Sequence, residues 1–182
     1  IFAASGIPGT VGSGTRDMWM ELIPLLGADR DFAVWPFDGE LEQLLATRPV
    51  TLAETYPGLA YAAALSAALP TPRVRISKTK GAAREAACEL LLAAPWVAET
   101  GVSLGDLEPA RLDEDAFDSH LTAAAVLRCV LDGVSLCDAG FIDPTAAGGI
   151  LLAGPVDPRA RTETLTPAER PGPAKLDAQR KL

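Results

Sequence analysis

The hydrophobic positions of this chain fall into runs with two different periods. In 49–57, apolar and β-branched residues lie between Pro49 and Pro57, which predicts a short strand with a firm stop at each end. Val50, Leu52 and Glu54 share one face of that strand, because side chains alternate across a sheet. A carboxylate on the same face as two core positions is costly unless it has a partner. Two readings of Glu54 therefore stand together. It is a glutamate that has reached solvent at a strand end, or it is a functional group, since open α/β sheets place ligands at the C-terminal ends of their strands. A second strand is expected over Phe32–Phe37, ending at Pro36, with Trp35 as core or site wall.

The helical period appears first in 17–26, where Trp19, Leu22, Ile23 and Leu26 recur at three- and four-residue steps and Gly27 is a plausible stop. A helical turn or two is expected over 40–46. An alanine-rich helix follows over 59–69, ended by Pro70 and Pro72. Gly81 opens another over 82–94, with Ala86, Leu90 and Ala93 as its stripe. Residues 95–111 read as a polar link carrying Gly101, Gly105 and Pro109. The last long helix spans 112–127, with Asp113 as N-cap and acids in its first turn, where they suit the helix dipole. Short apolar pieces in 132–154 predict a closing loop and a short strand, and the chain from Pro155 reads as a polar, proline-bearing tail. The order helix, strand, helix, strand predicts a layered α/β domain over 1–154 and a tail over 155–182.

Composition narrows the functional classes. The chain has 182 residues, 48% of them hydrophobic, enough for one sizeable core. The formal net charge of −8 argues against a general binder of phosphate backbones, whose affinity comes from Lys and Arg. It leaves room for an acidic nuclease whose metal ions neutralise its centre. Cys88, Cys129 and Cys137 lack CxxC spacing and read as reduced, mostly buried thiols. With His120 as the one histidine, the pattern does not suit a zinc site. No run is long and apolar enough to span a bilayer, and a cytoplasmic setting is expected.

Three features carry candidate chemistry. The glycine-rich stretch Gly6–Thr15 matches neither GxGxxG nor a P-loop, and it reads as a flexible or tightly turning connection. Arg73, Arg75, Lys78 and Lys80 form a short basic run, equally a solvated connector or a small phosphate-facing patch. Arg84 stands near a helix start, where the dipole disfavours a cation, which hints at a local partner. The acids are the third feature. Asp115 and Asp118 are i,i+3 neighbours on one helix face and repel unless a cation lies between them. With Glu54 on a separate element they form a set of hard oxygen donors suited to Mg²⁺, and paired ions of this kind support phosphodiester cleavage.

The wording around these acids is more specific than the acids themselves. Val34-Trp35-Pro36-Phe37-Asp38, Ala53-Glu54-Thr55-Tyr56-Pro57 and Asp113-Glu114-Asp115-Ala116-Phe117-Asp118 together resemble the DUF429 family of RNase H-like (RuvC-type) proteins. The Gly9–Thr15 loop before a helix resembles that family too, and the likeness covers roughly Gly9 to Leu152. The resemblance implies an RNase H-like fold, a mixed sheet flanked by helices, and metal-dependent nuclease activity. It implies Glu54 as the strand carboxylate, Asp118 with Asp115 as the helix carboxylates, and Mg²⁺ or Mn²⁺ as the cofactor. Lys78, Lys80 and Arg84 are then expected to contact a nucleic-acid phosphate, and His120 to be surface or packing. The family's first aspartate belongs on an opening strand, which is expected upstream of Ile1. The rival reading is a non-catalytic RNase H-like module that binds nucleic acid, a nucleotide or a protein. A phosphotransferase on the same type of fold would need a true phosphate loop, which the sequence lacks.

Overall fold

The computed structural model describes residues 11–28, 31–137, 150–157 and 159–165. These divide into two compact units, the first reaching to Glu54 and the second beginning at Thr55. The chain is mixed α/β with helix predominant, and its sheets among the described residues are small, parallel and two-stranded.

In the first unit, α1 (Val11–Ala28) precedes β1 (Phe32–Val34), α2 (Leu41–Thr47) and β2 (Val50–Leu52). The helix α1 runs further than the apolar stripe predicts. Val11–Thr15, expected as loop, is its first turn, because glycine weakens a helix by only about 1 kcal/mol per residue and does not forbid it. The rest of the glycine-rich stretch lies outside the described residues. The strands β1 and β2 pair in parallel, Phe32 with Val50 and Val34 with Leu52, with α2 as the crossover. Both are shorter than expected. The ladder stops at Trp35, whose N–H donates to the Leu52 carbonyl at 2.9 Å. The chain then turns, and Asp38 holds the turn by accepting the Val34 N–H on Oδ2 at 2.7 Å. The "WPFD" wording is therefore a strand stop rather than strand.

The second unit is built around α3 (Pro57–Leu65). Pro57 suits the first position of a helix, since its fixed φ is helical and it has no N–H to leave unbonded. Leu59 to Ala64 are all buried, so this helix is enclosed on every side, as an apolar helix without a polar face must be. Its small alanines let α7 (Glu114–Leu131) pack closely against it, through Phe117, Leu121, Ala124 and Ala125. The helix α4 (Gly81–Leu92) adds Ala83, Ala87, Cys88 and Leu91. The stripe expected there was Ala86, Leu90 and Ala93, yet Leu90 is exposed. Alanine-rich helices have weak periodicity, and the face that turns inward is the one carrying Ala83, Ala87, Cys88 and Leu91.

Residues 95–111, expected as a link, hold α5 (Pro95–Thr100) and α6 (Glu108–Leu112). Each has Pro in its first turn, and Gly101 closes α5 with a φ of 68°, a left-handed cap. Trp96 of α5 and Arg128 of α7 complete the C-terminal end of α3. Trp96 Nε1 donates to the Ala64 carbonyl at 2.9 Å. Arg128 donates to the carbonyls of Ala63 at 2.7 Å, Ser66 at 2.6 Å and Ala67 at 3.3 Å. The end of a buried helix thus finds partners for carbonyls that have none within the helix.

The segment expected as a tail begins inside this unit. Pro155 is fully buried and Val156 nearly so. Thr71 N–H donates to the Pro155 carbonyl at 2.9 Å, and Asp157 N–H to the Thr71 carbonyl at 2.9 Å. Further on, β4 (Glu163–Thr164) pairs in parallel with β3 (Val74–Arg75). Polar composition hid this, because backbone pairing needs no apolar side chain. Of the expected closing strand, Leu151 makes a single parallel bridge to Thr55. Phe141-Ile142 and residues 166–182 lie outside the described residues. No helix among the described residues is long and apolar enough to cross a membrane.

Candidate functional site

Asp113 starts the site. Its Oδ1 accepts the N–H groups of Asp115 at 3.0 Å and Ala116 at 2.8 Å, so it is the N-cap of α7. These backbone bonds, that to Ala116 foremost, hold its carboxyl below the usual range. The cap fixes the first turns of α7 and so the direction of Asp118. Asp118 is half-buried, and both of its oxygens are engaged. Oδ1 accepts the hydroxyl of Tyr61, and Oδ2 accepts the ammonium of Lys78.

Tyr61 reaches Asp118 from α3. Its ring is buried and lies 5.3 Å from that of Phe117, tilted by 55°. Burial, and then the hydrogen bond to Asp118, push its hydroxyl far above the ordinary tyrosine range. The phenol is therefore a neutral donor to the carboxylate at ordinary pH. Lys78 arrives from the opposite direction, on the turn before α4. Its bond to Asp118 raises its pKa, and Asp115 and Glu114 add to that. The three residues form a chain of contacts from the interior to the surface: a buried hydroxyl, a carboxylate at the rim and a partly exposed ammonium.

Arg84 anchors the turn that carries Lys78. It is 8% exposed and donates to the carbonyls of Lys78 at 2.6 Å, Arg111 at 3.0 Å and Leu112 at 2.8 Å. The local partner that its position on the helix demands is thus a set of carbonyls. Arg84 was expected to contact phosphate. Instead it is buried and ties the Lys78 turn to the residue before the Asp113 cap. Lys80 is exposed at the start of α4. His120 bonds the Ala116 carbonyl through Nδ1 at 2.7 Å and lines an apolar dent of about 170 Å³ with Leu91, Leu104 and Leu107.

The structure brings together Asp118 and Lys78 of the expected site residues, with Asp115 exposed on the preceding turn of α7. Glu54 is exposed and belongs to the first unit, beyond the end of β2. The strand reading had put it on a core face; the ladder ends before reaching it. Among the described residues no group of three His, Cys, Asp or Glu side chains is gathered to hold a metal ion. Tyr61 is the residue that sequence reasoning missed. Its signal was present: a single hydroxyl inside an otherwise apolar helix needs a hydrogen-bond partner when buried. Comparison with protein-family models, characterised proteins and solved structures gives no match.

Proposed function

We propose that this chain is a divalent-metal-dependent phosphodiester hydrolase of RNase H-like architecture. One observation carries the reading: a carboxylate at the rim of α7, aimed by a buried phenol, with a cation lodged against its outer oxygen. A carboxylate oriented to receive a cation offers what a hard metal ion also requires. Mg²⁺ and Mn²⁺ are held by one or two carboxylates together with waters and phosphate oxygens. Asp118 and Asp115 would hold the ion, and the sequence resemblance alone names Glu54 as a further carboxylate. A bound ion would supply an activated water and offset the charge of the phosphate. Tyr61 keeps the carboxylate in one orientation. Lys78 provides the positive charge that meets phosphate, and Lys80 adds to it from the surface.

The test is cleavage of labelled DNA and RNA of several shapes in Mg²⁺, Mn²⁺ or EDTA. Cleavage is expected with either metal and none with EDTA. Asp118→Asn is expected to lower the rate by at least about a hundredfold, the scale on which lost transition-state stabilisation is felt. Glu54→Gln is run beside it. Cleavage undiminished in both variants removes the assignment.

A second reading, the non-catalytic RNase H-like module, is favoured by the same ion pair, since Lys78 already neutralises Asp118 without a metal. It predicts no cleavage in either metal and nucleic-acid binding that EDTA leaves unchanged.

A further inference from the structure

We propose that a hollow at the C-terminal end of α3 binds a primary alkyl ammonium, with its charged head toward Glu163 and Thr71 and its stem along apolar walls. The hollow has a volume of about 520 Å³ and opens beside β3 and β4. Small-molecule sites span roughly 300–1,000 Å³. Val74, Leu165 and the exposed Leu90 supply the walls, and Ser66, Thr71 and Glu163 supply polar groups. No lysine or arginine lines it. It lies within the second unit and shares no residue with the Asp118 site.

The buried hydroxyls of this hollow have acceptor capacity to spare and no proton to give. Ser66 Oγ donates its one proton to the Ala62 carbonyl at 2.7 Å. Thr71 Oγ1 must then supply the proton of its contact with Ser66 Oγ; its other neighbour, the Pro72 carbonyl at 3.3 Å, is also an acceptor. That leaves the Thr71 oxygen, in a residue 2% exposed, with lone pairs that no described donor meets. Glu163 is the one ionised side chain of the lining, and among the described residues it makes no ion pair. Its backbone is fixed, because its N–H donates to the Arg73 carbonyl at 2.7 Å. The carbonyl end of a helix also favours positive charge, and Arg128 already sets its guanidinium against the Ser66 and Ala67 carbonyls. A carboxylate, an unmet hydroxyl oxygen and a helix C-terminus together call for a positively charged donor, and the walls call for a hydrocarbon stem. An anion would meet Glu163 and no cationic side chain.

Titration of the full chain with hexylammonium, followed through its amide NMR shifts, tests this. The shifts are expected to concentrate in 65–74 and 163–165, the segments that line the hollow. Hexanol, with the same stem and no charge, is expected to bind about fivefold more weakly, the upper end of what an exposed ion pair contributes, and hexanoate not detectably. Butylammonium is expected to bind about tenfold more weakly than hexylammonium, for two fewer buried methylenes. Glu163→Gln is expected to lose the same fivefold for hexylammonium and to leave hexanol unchanged. Leu90→Lys, at an exposed position, brings a like charge to the mouth and is expected to weaken hexylammonium while the melting temperature stays within a degree or two. A free amine and a lysine side chain share this chemistry. Tighter binding of a capped lysine tripeptide than of hexylammonium assigns the ligand to a protein's lysine, and weaker binding assigns it to a free amine. Equal affinity for hexanol and hexylammonium, an affinity unchanged in Glu163→Gln, or no shift in the lining segments overturns the proposal.

Discussion

Arg128→Met is expected to be among the most damaging single changes to the second unit. Arg128 is 2% exposed in the last turn of α7, and its guanidinium supplies partners to three carbonyls in the last turn of α3 and just beyond it. Methionine keeps the stem and its packing but removes every donor. The Ala63 carbonyl belongs to a fully buried residue and loses its cap outright, at about 1–3 kcal/mol. The Ser66 and Ala67 carbonyls lie nearer solvent and add about 1 kcal/mol between them after water compensates. The favourable placement of a cation at the end of α3 is lost as well, worth up to about 2 kcal/mol when partly buried. The total is about 2–6 kcal/mol, or a fall in melting temperature of roughly 10 °C or more for a unit of this size. Thermal and urea unfolding followed by circular dichroism measure it. Arg128→Lys, which can reach one carbonyl in place of three, is expected to fall between the two. Asp132→Asn, which loses a 3.3 Å contact to Nε at the surface, is expected to cost less than about 1 kcal/mol. A melting temperature for Arg128→Met within a degree or two of the wild type refutes the claim that this arginine caps the buried helix.

Tyr61→Phe keeps the ring contact with Phe117 and deletes the hydroxyl, and it is expected to cost about 1–2 kcal/mol at neutral pH. Because folding raises the Tyr61 and Lys78 pKa values, the unfolded chain loses these protons first as pH rises. The Tyr61 contribution is complete below about pH 10 and is lost as pH rises from there toward the raised folded-state value, so the difference in melting temperature between the wild type and Tyr61→Phe should hold up to about pH 10 and shrink between about pH 10 and pH 12. A constant difference across that range counts against the assigned hydrogen bond. Cys88 and Cys129 are fully buried, and burial pushes the Cys129 thiol up to about 11 and raises that of Cys88. A thiol-disulfide reagent at about pH 8 should leave both untouched until denaturant is added. Prompt reaction of two or more thiols in the native protein contradicts the packing described for α4 and α7.

Much of the helical framework was legible in the sequence because its signals are local. The Asp113 cap and the apolar stripe of α1 act within a turn or two of themselves, and they mark helices in the fold. Strand length was not legible. Whether 50–56 is three residues of strand or seven depends on how far its partner β1 runs before Asp38 turns it away. Nor could composition reveal that residues 155–165 join the second unit, since their anchors are backbone groups of Thr71, Arg73 and Arg75.

The candidate site divides along the same line. The sequence alone determined that α7 begins with acids and that Asp118 stands one turn beyond its cap. The tertiary structure decided which groups meet that carboxylate. Tyr61 and Lys78 lie 57 and 40 residues away along the chain and come to Asp118 only because α3 and the turn before α4 pack beside α7. It also decided the fate of the two buried arginines. A guanidinium reads as a surface charge in sequence, and only the fold shows that Arg84 and Arg128 are buried and donate to backbone carbonyls. A pattern of side chains records local preference, whereas unpaired polar groups find one another only once the chain has folded.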